Sequence, residues 1–97
     1  MTVIGTLQPL IRRALLDLLN DVGGEHNEDT LSLLLNEMGH RVARRDIRSE
    51  LEWLAEKGLV KTEELGPYLV ARILADGRDV ADGRLRMDGV SRFKTGD

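Results

Sequence analysis

A mainly α-helical fold carrying one β-hairpin is predicted by three features of the sequence. Apolar residues recur at spacings of three and four before Gly58, the period falls to two on either side of Gly66-Pro67, and glycines close the periodic stretches. A chain of 97 residues fits one small domain. Hydrophobic residues make up 41% and charged residues 32%, a globular balance, while aromatics at 3% leave the core to leucine, isoleucine, valine and alanine.

The first helix is expected from about Leu7 to Asn20. Leu7, Leu10, Ile11, Ala14, Leu15 and Leu18 fall on one face, with Arg12, Arg13, Asp17 and Asn20 on the other. Pro9 belongs to the first turn, where a missing N–H costs little, and Gly23-Gly24 terminates the segment. A polar loop, residues 25–29, leads into a second helix from about Glu28 to Met38. Asn27 is its expected N-cap, Glu28 and Asp29 suit the positive end of the helix, and Leu31, Leu34, Leu35 and Met38 form its buried stripe. Gly39 supplies the left-handed exit. A third helix follows from about Ala43 to Lys57, with Ile47, Leu51 and Leu54 facing the core, Val42 beneath its start and Gly58 at its end.

Beyond Gly58, residues 59–65 and 68–73 alternate as two strands around Gly66-Pro67. Pairing across this turn sets Val60 against Ile73 and Thr62 against Ala71, so that Lys61, Glu63, Val70 and Arg72 point outward. A short helix from Ala75 to Asp82 ends at Gly83. Three helices, a two-stranded wing and a short C-terminal helix are the order of a winged helix–turn–helix domain, here residues 1–83. Residues 84–97 lack periodicity and are expected to form an extended or mobile C-terminal extension.

The stretch 35–92 also resembles a small winged-helix family of Mu-like bacteriophages and prophages, whose members are commonly labelled as regulators similar to the ArsR group. The resemblance spans about Leu7 to Arg92 and is most specific at GHRV (39–42), at 48–60 and at DVADGR (79–84). It implies a phage or prophage origin, a bacterial cytoplasm as the site of action and a DNA-binding fold. The chain departs from usual capping chemistry by carrying Ala43 and Ala75 where serine or threonine is expected. The metal-sensing ligands of ArsR-type proteins are largely missing, so no metal or other cofactor carries over.

Charge is unevenly laid out along the chain. The net charge of −3 argues against a nonspecific nucleic-acid coat, yet Arg41, Arg44, Arg45 and Arg48 gather within eight positions. In a helix–turn–helix the start of the second helix approaches base edges, which places Arg44, Arg45, Arg48 and Ser49 toward bases and Arg41 toward a phosphate. Arginines at a helix start oppose the macrodipole, and Glu50, Glu52 and Glu56 toward the other end are equally disfavoured. A helix charged against its own dipole points to a functional surface. The competing reading is a solvated ladder in which Arg44 or Arg45 pairs with Asp46, Glu50 or Glu52.

The wing speaks less clearly. Lys61 and Arg72 are candidate phosphate contacts near its base, but Glu63 and Glu64 near the tip would repel a phosphate backbone. Arg84, Arg86, Arg92 and Lys94 are further candidates. Trp53 falls beside its helix stripe and reads as a boundary residue covering the wing, with an interface hot spot as the alternative. Leu16 and Leu33 also lie off their stripes and give slight support to a homodimer, for which the first helix and the C-terminal segment are the expected contacts.

Enzyme chemistry finds no motif. The absence of cysteine excludes disulfides, thiolate zinc sites and cysteine nucleophiles. His26 and His40 lack metal-binding spacing, Glu25, His26, Glu28 and Asp29 read as a loop and helix cap, and Ser32, Ser49 and Ser91 have no neighbouring base. Apolar runs are too short to span a membrane, and the opening residues lack the pattern of a signal peptide, so a soluble intracellular protein is expected. The expected function is sequence-specific binding of double-stranded DNA in phage or prophage transcription. The alternative is a protein-interaction module, docking a phage or host protein without DNA.

Overall fold

The structure, a computed structural model, describes residues 7–92. It contains four helices, α1 (Gln8–Val22), α2 (Glu28–Glu37), α3 (Arg44–Glu56) and α4 (Ala75–Ala81), and three strands, β1 (His26–Asn27), β2 (Val60–Leu65) and β3 (Tyr68–Ile73). The strands form one antiparallel sheet in the order β1-β3-β2.

Helix α1 is the centre of the molecule and touches α2, α3, α4 and β3. Enclosure on several sides changes its burial from a stripe to most of its circumference. Leu16, expected to lie off the stripe, is fully buried, and Arg13 and Asp17, expected on the solvent side, are buried too. Leu7 is exposed instead, while Leu10 and Leu18 are half-buried. A single-face periodicity describes a helix lying on a core, and α1 runs through one.

Helix α2 begins as its sequence predicts. The Asn27 side chain accepts a 2.9 Å hydrogen bond from the Thr30 N–H, completing the cap. Leu31 and Leu35 are buried, but Leu34 is only half-buried and Met38 is exposed. The helix ends one residue before Met38, so that side chain leaves the stripe at the turn. Gly39 takes the left-handed conformation there (φ 91°) and His40 N–H bonds back to Leu35 O. Ala43 is the N-cap of α3 without a side-chain bond, whereas the N-cap of α4 is Leu74, so Ala75 belongs to the helix proper.

The hairpin register agrees with the alternation: Val60 faces Ile73 and Thr62 faces Ala71. Strand β1 is an addition. Its two residues, His26 and Asn27, pair with Ala71 and Val70 where a polar loop is expected, because two residues are too few to show a period. Gly77 is also more than punctuation. It is buried within α4, and a Cβ there would collide with the Leu59 carbonyl oxygen.

Residues 84–92 have an irregular backbone, as an extension would, but they lie against the domain. Val90 is buried, Ser91 N–H donates to Pro9 O, and the Arg13 guanidinium donates to the carbonyls of Ala81, Ser91 and Arg92. Trp53 packs here rather than over the hairpin. It lies under the Arg12 guanidinium (3.8 Å to the ring centroid), against Gly89, with Lys57 also near its ring. Lys94 lies outside the described residues.

Candidate functional site

The four clustered arginines separate into two pairs. Arg44 and Arg48, one turn apart on α3, both reach the carboxylate of Glu28, which is fully buried at the first turn of α2. Arg44 Nη2 lies 3.5 Å from Glu28 Oε1, and Arg48 Nη1 lies 3.4 Å from Oε2. The Leu69 N–H donates to both carboxylate oxygens, at 3.0 and 2.9 Å, so one side chain joins α2, α3 and β3. A buried carboxylate persists only with such partners.

Both arginines are held on their outer sides as well. Arg44 pairs with Asp29 (3.2 Å), donates to Pro67 O (3.1 Å) and lies over the Tyr68 ring. Arg48 pairs closely with Glu64 at the hairpin end and more loosely with Glu52 one turn along α3. The ladder reading pairs Arg44 or Arg45 with Asp46, Glu50 or Glu52, and neither arginine meets any of these; Glu52 pairs with Arg48 instead, and Glu28, Asp29 and Glu64 come from other elements. Arg41, Arg45 and Ser49 remain exposed, and their side chains make no hydrogen bond or ion pair with any described residue. Arg45 and Ser49 are four residues apart and share one solvent face of α3, with Arg41 in the turn before it.

Lys61 and Arg72 lie elsewhere. They are direct cross-strand partners on the outward face of the hairpin, beside Glu25 and Glu63, whereas Glu64 projects from the face toward α3. The seven sequence-predicted residues therefore form no single surface. Arg84 pairs with Asp79 and Asp82, and Arg86 borders a cleft of about 330 Å³ between α4 and residues 84–92, walled by Val80, Leu85, Met87 and Val90.

The reversed charge of α3 has a tertiary cause. Glu50 is buried and accepts from Arg12 Nε (2.7 Å) and Gln8 Nε2 (3.0 Å) of α1, while its arginines meet Glu28. Partners from neighbouring elements outweigh the dipole, which contributes only about 0.3–1 kcal/mol per exposed charge. Glu28, Asp29 and Glu64 were invisible as site residues because each also suits a local role in its own element. The only trace in sequence is the four-residue spacing of Arg44 and Arg48, which lets two guanidiniums share one carboxylate.

Among the described residues no three or more histidine, aspartate or glutamate side chains gather as a metal site, and no helix is long and apolar enough to cross a membrane. No family model matches the chain, and no solved structure does. Two relatives carry related sequences. A protein of Haemophilus influenzae is 36% identical over 63 residues, covering 64% of this chain and 62% of its own. The uncharacterized protein gp26 of Escherichia phage Mu is 41% identical over 81 residues, 84% of each chain. At that identity and coverage the chain belongs to the family of phage Mu gp26.

Proposed function

We propose that this chain is a winged helix–turn–helix domain that binds double-stranded DNA through the start of α3, as a transcription regulator of a Mu-like phage or prophage. The observation that carries the reading is the exposed Arg41, Arg45 and Ser49 at and before the start of α3. A recognition helix presents its N-terminal residues to base edges, and an arginine there has a bidentate geometry for guanine. The element order and the β1-β3-β2 sheet support the same assignment, with α2 and α3 as the two helices of the motif and β2–β3 as the wing. The reading assigns contacts to Arg41, Arg45 and Ser49, and structural work to Arg44 and Arg48. Lys61 and Arg72 reach DNA only if the outward hairpin face also meets it.

The test is fluorescence anisotropy with a labelled mixed-sequence duplex across a salt series. Arg41→Ala/Arg45→Ala weakens binding and makes the salt slope shallower by about one, for the phosphate contact assigned to Arg41. Absence of binding by the wild-type protein at low salt overturns the reading. A specific observation favours the second reading, a docking module for a phage or host protein: Leu33 is 63% exposed on α2, beside a groove bordered by Ser32, Asn36, Arg41 and Val42. A protein complex lost on Leu33→Glu, with no DNA binding, would decide for it.

A further inference from the structure

We infer that Glu64 and Glu52 set the DNA affinity of α3 by occupying Arg48 in place of a phosphate, so that the hairpin acts as a built-in competitor. This inference rests on α3 being the DNA-binding element. The observation is geometric. The hairpin brings a carboxylate from β2 onto a guanidinium at the middle of α3, and Glu52 closes on the same guanidinium from one turn along the helix. Both carboxylates are on the solvent side, 69% and 63% exposed, whereas the Arg48 side chain is 32% exposed. They therefore stand where an incoming phosphate would approach Arg48, while Glu28 holds the same guanidinium from within.

The consequence follows from competition. A phosphate oxygen can pair with Arg48 only after Glu64 and Glu52 yield, and until then their negative charge repels the DNA backbone. Sequence-independent attraction is thereby suppressed, leaving Arg41, Arg45 and Ser49 to carry contact. A wing that carries acid toward the helix weakens sequence-independent binding without abolishing it, so a mixed-sequence duplex still binds at low salt while base contacts supply a larger share of the affinity.

The experiment compares Glu52→Gln/Glu64→Gln with Glu56→Gln/Glu63→Gln on the labelled duplex, after thermal melts establish that both are folded. The control removes the same charge from the same two elements, but among the described residues Glu56 and Glu63 make no ion pair or hydrogen bond with an arginine side chain. The first variant should bind about tenfold tighter with a steeper salt slope, and the control should gain less than about threefold. Measured against Arg48→Ala alone, with both proteins shown by thermal melts to be folded, adding Arg48→Ala to the first variant should abolish its gain. Equal gains by both variants, or no gain by the first where the wild type binds, would overturn the competition while leaving DNA binding intact. No binding by any of the proteins would overturn DNA binding itself, and this inference with it.

Discussion

Glu28 shows how one residue can be locally ordinary and globally decisive. Its position after Asn27 suits the positive end of α2, yet its side chain is completely enclosed and shared among Leu69, Arg44 and Arg48. Asp29, the next residue, makes an ion pair of similar length to Arg44 from a half-exposed position. The two acids therefore separate burial from charge. In urea titrations Glu28→Ala should lower stability by about 2 kcal/mol, because it leaves the buried Leu69 N–H without an acceptor and removes the inner partner that Arg44 and Arg48 share. Asp29→Ala should change it by less than about 1 kcal/mol, as exposed pairs do. Equal effects would mean that the Glu28 carboxylate is no keystone. Arg44 and Arg48 must be judged with it: their loss in a DNA-binding assay mixes affinity with stability, whereas Arg41 and Arg45 are free of that coupling among the described residues.

At the level of elements, the segment 84–92 is bound to α1 by one side chain in particular. Arg13 is buried, pairs with Asp17 at 3.0 Å, and collects the carbonyls of Ala81, Ser91 and Arg92. Helix α4 has only seven residues, too few to be stable without such anchorage. Arg13→Met keeps much of the apolar stem but removes the donors. It should lower stability by about 3 kcal/mol, with faster amide exchange concentrated in α4 and residues 84–92. Exchange that accelerates uniformly over the chain would show that Arg13 stabilises the whole domain rather than this attachment. The periodicity of α1 could not reveal this role. An arginine and an aspartate four residues apart look like an exposed helical pair until other elements cover them.

Among the described residues, charged clusters around Glu28, Glu50 and Arg13 each link elements distant along the chain. Trp53 lies within the second, stacked under Arg12 and against Gly89, so it senses α1, α3 and the C-terminal segment together. Thermal unfolding followed by Trp53 fluorescence should therefore coincide with unfolding followed by far-ultraviolet circular dichroism. A fluorescence transition at lower temperature would show that residues 84–92 detach before the helices melt. Such cooperativity bears on function, because α3 can present Arg45 and Ser49 in a fixed direction only while its opposite face is held by α1 and the hairpin.

The extent of the helices, the Asn27 cap and the hairpin register were all legible in the sequence. Each depends on residues within a few positions of one another: the period of apolar side chains, a cap three residues from its donor, a turn between alternating strands. Strand β1 was not legible, since its two residues are defined only by pairing with β3. Nor was the division of the arginines. Glu28 meets Arg48 across 20 positions and Leu69 across 41, and Arg12 meets Glu50 across 38. Sequence alone determined which residues carry charge and which elements they ride on. Only the tertiary structure decided which charges are spent inside the fold and which remain for a partner, because an ion pair depends on distance in space, and the path of the chain sets that distance.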